Sequence, residues 1–138
     1  GHTLAHSNPT LLNNLFQQYP GVRFVLFHGG YPYYEEAGVL AKYFANVWVD
    51  GCWFSHFAPS AYRRALDTWI ELAPANKILA WGGDHRLVDL SYASLVQAKD
   101  LIADVLAAKV QVGYFDERLA LSVARKILHD NHCGLYGF

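Results

Sequence analysis

Apolar positions along this 138-residue chain switch repeatedly between helical spacing and short continuous runs. Leu11, Leu12, Leu15 and Phe16 recur at helical intervals behind Ser7-Asn8-Pro9, where Ser or Asn supplies the N-cap and proline suits the first turn; a helix to about Gln18 is predicted. Tyr19-Pro20-Gly21 stops it. The run Val22 to Phe27, broken only by Arg23, is too short for a helix and rich in β-formers, as a strand covered on both faces requires. Gly29-Gly30 ends it, and Pro32 opens a second helix through Phe44 with Val39, Leu40, Tyr43 and Phe44 on one face. Val47-Trp48-Val49 is the second strand, closed by Asp50-Gly51. After a loop, Pro59-Ser60 starts a third helix whose apolar face is Ala61, Ala65, Leu66, Trp69, Ile70 and Leu72, ended by Pro74. Lys77 to Trp81 is the third strand, closed by Gly82-Gly83-Asp84. Ser91 to about Val112 is a long amphipathic helix, Asp116 caps another through about His129, and Cys133 to Phe138 reads as a short tail.

Helices alternating with three short buried strands predict parallel pairing and an α/β architecture. In such folds the carboxyl ends of the strands share one side, where binding sites gather. His28, Asp50 and Asp84, each at a strand end, are therefore expected on one rim.

Composition narrows the function. Eleven Lys and Arg against twelve Asp and Glu give a net charge of −1, which removes the simplest electrostatic case for a nucleic-acid or anionic-membrane partner. Hydrophobic residues make up 53% and charged residues only 17%, where ordinary domains carry about 25% charged. A chain this apolar and short has difficulty hiding its surface alone, so a buried interface is expected. The longest apolar stretch, Leu101 to Val112, contains Asp104 and Lys109 and falls short of a membrane span. Two cysteines, Cys52 and Cys133, are too few for a disulfide framework, and a reducing cytoplasm is the expectation. Gly1-His2, in a chain without any Met, is read as the remnant of a cleaved tag. Neither Gly29-Gly30 nor Gly82-Gly83 belongs to a phosphate-binding motif, and there is no Gly-x-Ser-x-Gly elbow; kinase, dinucleotide and serine-nucleophile chemistry are disfavoured.

Five pieces, in order, resemble the amidohydrolase superfamily of metal-dependent (β/α)8 barrels, in particular its branch of uronate-isomerase-like and decarboxylase-like members. They are Ser7-Asn8-Pro9 with Leu11-Leu12, the run FVLFHGGYPY from Phe24 to Tyr33, NVWVD from Asn46 to Asp50, NKILAWGGD from Asn76 to Asp84, and ILHDNHCGLYGF from Ile127 to Phe138. The chain is also similar to the barrels fused to glutamine-synthetase-like domains in some plant and fungal proteins. The resemblance implies a single domain over 1–138 that is a partial (β/α)8 TIM barrel, with three parallel strands equivalent to strands 6 to 8 and flanking helices. The family's His-x-His pair after strand 1 and its fifth-strand His have no counterpart here.

The resemblance places His28 on the sixth-strand histidine and Asp84 on the eighth-strand aspartate. A carboxylate is a hard ligand for a divalent ion and a proton acceptor for metal-bound water, so Asp84 is the candidate metal ligand and, with His28, a candidate catalytic residue. The plain alternatives are an Asp that turns the chain after two glycines and a strand-end His bonded to a carbonyl. Tyr31, Tyr33 and Trp53 are candidate walls of a substrate pocket, and His85 and Arg86 candidate partners of an anionic substrate group, against loop packing or simple exposure. The implied activity is that of the C-terminal part of an enzyme hydrolysing, or cleaving by related lyase chemistry, a small molecule through water activated by a divalent metal, zinc being the candidate. The alternative is a catalytically inactive half-barrel scaffold that associates with another copy or with a separate N-terminal half, both sheet edges being open.

Overall fold

Val47, Val49 and Ile78 are fully buried, and their β-branched side chains anchor a parallel sheet between helices. The computed structural model describes residues 3–138; the tag reading of Gly1-His2 lies outside them. Three strands, β1 (Phe24–Leu26), β2 (Val47–Asp50) and β3 (Ile78–Leu79), pair in that order, both ladders parallel. Register pairs Leu26 with Val49 and Val49 with Ile78, so these three share the face packed on helices. Asp50 pairs with Leu79 on the opposite face.

The helices are α1 (Asn13–Gln18), α2 (Tyr34–Tyr43), α3 (Phe54–Phe57), α4 (Pro59–Leu72), α5 (Val88–Gln111), α6 (Glu117–Arg125) and α7 (Asn131–Tyr136). The Asn8 side chain accepts the Thr10 N–H at 2.9 Å as the predicted cap of a tight Pro9–Leu12 turn leading into α1, and Asp116 accepts the Leu119 N–H at 2.7 Å to cap α6. Trp69, Tyr62 and Leu66 form the fully buried stripe of α4. Trp69 donates its indole N–H to the Tyr34 carbonyl at 2.7 Å, which fixes α4 against the start of α2. Lys109 of α5, almost wholly buried, reaches Asp67 at 2.8 Å and also Glu71, tying α5 to α4.

Five sequence expectations change. The strands are shorter than their apolar runs. Lys77 precedes β3 instead of opening it, because its buried ammonium donates to the carbonyls of Phe44, Ala45 and Val47 and lies 4.1 Å over the Trp48 ring. The loop after β2 contains α3, and the supposed tail is α7, joined to α6 by a wide helical turn over Lys126–Asp130. Finally, among the described residues only one sheet edge is open. The outer edge of β3 is occupied: Ala80 N–H donates to the Ile127 carbonyl at 2.9 Å, and the Asn131 amide donates to the Ile78 and Ala75 carbonyls at 2.7 Å each. No strand pairs with the outer edge of β1 among the described residues.

Candidate active site at the strand ends

Each strand exit contains one non-glycine residue in the left-handed backbone region: His28 (φ 58°) after β1, Trp53 (φ 59°) after β2 and Asp84 (φ 40°) after β3. No other non-glycine among the described residues does so. This conformation costs a residue with a Cβ roughly 1–2 kcal/mol, and such strain concentrates where surrounding structure holds a side chain for use. The local sequence explains how it is held. Gly29 is also left-handed (φ 63°) and presses on Phe54, where a Cβ would clash, so the chain leaves β1 tightly against α3. At Gly51 a Cβ would overlap the Ala80 carbonyl oxygen and meet Tyr62 Cε2 at 2.9 Å; glycine there lets the exit of β2 lie against that of β3.

These exits border a cleft of about 540 Å³ lined by His28, Asp50, Cys52, Asp84, His132 and Tyr136, with Phe27 and the Trp81-Gly82-Gly83 segment completing it. His28 Nδ1 lies 3.0 Å from the Cys52 carbonyl. A carbonyl only accepts, so Nδ1 donates and Nε2 is the free nitrogen. His132 Nε2 likewise donates to the Trp81 carbonyl at 3.0 Å, leaving a buried Nδ1 without a partner. Burial holds the His132 imidazole below its usual range, against the opposing Trp81 bond, so the ring is neutral at neutral pH.

Asp50 is 3% exposed and accepts the Cys52 N–H at 2.5 Å through Oδ1. Burial pushes its carboxyl up to about 6, with the Cys52 bond and the nearby His28 charge pulling the other way. Burial, then the Asp50 and Asp84 charges, push the Cys52 thiol up to about 12, so Cys52 is a packing residue rather than a nucleophile. Burial and then Asp50 and Cys52 raise the Tyr136 phenol.

A second cleft, about 770 Å³, is lined by Trp53, Asp84, His85, Arg86, Leu87 and Leu90. Asp84 borders both clefts, and its carbonyl accepts the Trp53 indole N–H at 2.9 Å. Trp53 stands between two imidazoles, its ring 5.6 Å from His28 and stacked 6.1 Å from His85, whose other neighbour is His56 at 5.7 Å.

His28, Trp53, Asp84, His85 and Arg86 are thus brought together around adjoining clefts. Tyr31 and Tyr33 are not. Tyr31 packs between Phe54 and Phe57 of α3, with ring centroids at 5.4 Å from each, and the Tyr33 hydroxyl donates to the Leu4 carbonyl at 3.3 Å. After the left-handed His28-Gly29-Gly30 turn both tyrosines are spent on packing and line neither cleft. Asp50 lies on the rim as its strand-end position predicts, though the sequence assigned it no role, and His132, absent from the candidates, reaches the cleft only because α7 folds back on β3.

Parallel α/β sheets gather binding sites at the carboxyl ends of their strands, where His28, Trp53 and Asp84 stand here. The chain belongs to the amidohydrolase family, whose family model, described as Amidohydrolase, matches residues 1–138. It is 36% identical over 135 residues to Protein fluG of Emericella nidulans, covering 96% of this chain and 16% of that protein. Among solved structures it is similar to a chain described as a metal-dependent hydrolase from Lactobacillus casei ATCC 334, with 28% identity and a TM-score of 0.78 over 94% of this chain and 34% of that one. The chain therefore spans about a sixth of its curated relative and about a third of its structural neighbour.

Metal-dependent relatives imply a divalent ion, yet the residues present do not make a complete site for one. Among the described residues no three His, Cys, Asp or Glu side chains form a group able to hold a metal. His28 has one nitrogen committed to a carbonyl, and the unpartnered His132 Nδ1 is shut away from solvent. No helix among the described residues is long and apolar enough to cross a membrane.

Proposed function

We propose that this chain forms one wall of a metal-dependent amidohydrolase site for a small-molecule substrate, with β1, β2 and β3 serving as the sixth, seventh and eighth strands of a (β/α)8 barrel. The observation that carries this reading is the coincidence of backbone strain with chemistry: the three left-handed non-glycine residues are at the three strand exits, and two of them, His28 and Asp84, share a cleft. Asp84 offers a carboxylate that accepts a proton or binds a hard cation. His28 offers Nε2 to a substrate hydroxyl or amide, its tautomer held by the Cys52 carbonyl. Trp53 gives a flat apolar wall, and His85 with Arg86 meets an anionic group in the adjoining cleft.

The family's divalent ion, with zinc as candidate, needs donors from beyond these residues. On this reading the isolated chain is a catalytically inactive half-barrel. The unpaired outer edge of β1 and the exposed Val22 and Phe27 beside it favour association with the remaining strands or with another copy. Two free cysteines, one buried, suit a reducing cytoplasm. Asp84→Asn in a complete barrel carrying this segment is expected to abolish turnover while circular dichroism and melting stay unchanged; a folded variant with full activity overturns the role.

A further inference from the structure

We propose that Asp50 is the positioning residue of the His28 imidazole and acts through the main chain of Cys52. Two bonds meet on that one residue: Asp50 Oδ1 accepts the Cys52 N–H at 2.5 Å, and the Cys52 carbonyl accepts the His28 Nδ1–H at 3.0 Å. The carboxyl at the end of β2 thereby sets the turn that presents a carbonyl to the residue leaving β1.

Three further observations separate this arrangement from an ordinary strand-end turn. The same carbonyl also accepts the Phe54 N–H at 2.7 Å, so the Cys52 peptide is held after the turn by Phe54 and before it by Asp50. Register puts Asp50 on the sheet face away from the helical core, the face of Leu79, and it lines the cleft with His28 although it is only 3% exposed. An Asx turn needs no buried carboxyl, since an exposed Asp or Asn makes the same bond at lower desolvation cost. The neighbouring Gly51 is part of the device, because its N–H donates to the Leu79 carbonyl at 2.7 Å and ties the turn to β3.

The functional meaning of this role rests on the reading that His28 works at the rim, but its test does not. Histidine-ring nitrogen NMR on the 138-residue chain at about pH 8 reads the His28 tautomer directly, with wild type, Asp50→Asn and Asp50→Ala compared. Wild type is expected to hold the proton on Nδ1. Asp50→Asn keeps an oxygen acceptor for the Cys52 N–H and retains that tautomer; Asp50→Ala lets the ring shift so that the Nε2–H form, favoured by free imidazole in water, takes more than half the population. A folded Asp50→Ala variant with the wild-type tautomer overturns the proposal, as does a wild-type ring protonated on Nε2. Should Asp50→Ala fail to fold, Asp50→Leu, which fills the site without an acceptor for the Cys52 N–H, decides: a shift to the Nε2–H form supports the relay and a retained Nδ1–H form overturns it. Loss of turnover plays no part in this readout, so an inactive His28 with the expected tautomers removes the proposed function and leaves the positioning role standing.

Discussion

Replacing Asp50 by Asn is expected to stabilise the fold at neutral pH and to lose that gain in acid. The carboxyl is 3% exposed and titrates at about 6, against an ordinary value near 3.9. A folded-state value above the unfolded one means that the folded chain binds the proton more tightly. Folding is therefore unpenalised below the unfolded value, and the penalty grows as pH rises, reaching its full size above the folded value. At about 1.4 kcal/mol per tenfold change in proton affinity, the full penalty is about 3 kcal/mol at pH 7.5 and roughly half that at pH 5. Asparagine keeps an acceptor for the Cys52 N–H without the buried charge, so it removes the penalty. Urea unfolding of both proteins at the two pH values gives the difference, and at pH 7.5 the melting temperature should rise by roughly 10 °C. An Asp50→Asn protein no more stable than wild type at pH 7.5, or one equally stabilised at both pH values, refutes the assignment of a desolvated carboxylate. A stabilising substitution at a site residue is what a trade between stability and function produces.

Asn131→Ala removes both 2.7 Å bonds, leaving the Ile78 carbonyl without a donor while the Ala75 carbonyl keeps the Ile78 N–H; a loss of about 1–3 kcal/mol is expected in the same unfolding assay. Gly51→Ala should cost more than about 2 kcal/mol because its Cβ overlaps the Ala80 carbonyl oxygen, whereas Gly134→Ala, with nothing within 4 Å and a helical backbone, should be neutral or stabilise by about 0.5–1 kcal/mol. A thiol reagent at about pH 8 should label Cys133 alone in the native chain, with Cys52, buried and titrating at about 12, reacting only after denaturation. Light scattering should find the chain associated through the open edge of β1; a monodisperse monomer that binds no apolar dye contradicts the half-barrel reading.

The α/β alternation was legible because short β-branched runs and helical periods do not resemble one another, and Val47-Trp48-Val49 stayed a strand to within one residue. What escaped was whatever depended on distant partners. Lys77 read as the start of a strand because the three carbonyls that capture its ammonium, at and before the start of β2, are 30 to 33 positions away in the chain. Asn131 entered only as one letter of the Ile127 to Phe138 stretch that carries the resemblance, its clamp on Ile78 spanning 53 residues. At the rim, His28 and Asp84 were visible as polar residues closing apolar runs. Tyr31 and Tyr33 were grouped with them by adjacency, but three left-handed residues in succession redirect the chain before Tyr31. Asp50 was expected on the rim with His28 and Asp84 but given no role, since neither its burial nor its bond to the turn that holds His28 is written in local sequence.

The central claim is that this chain supplies Asp84 and His28 to a metal-dependent site that it does not complete by itself. Metal content per chain tests it most directly: tag-free protein, purified without chelator, loaded with zinc or manganese, dialysed and measured by elemental mass spectrometry. The account predicts far less than one equivalent in the isolated chain. A full equivalent that survives dialysis and disappears in Asp84→Asn contradicts it, and means that these residues alone build the centre.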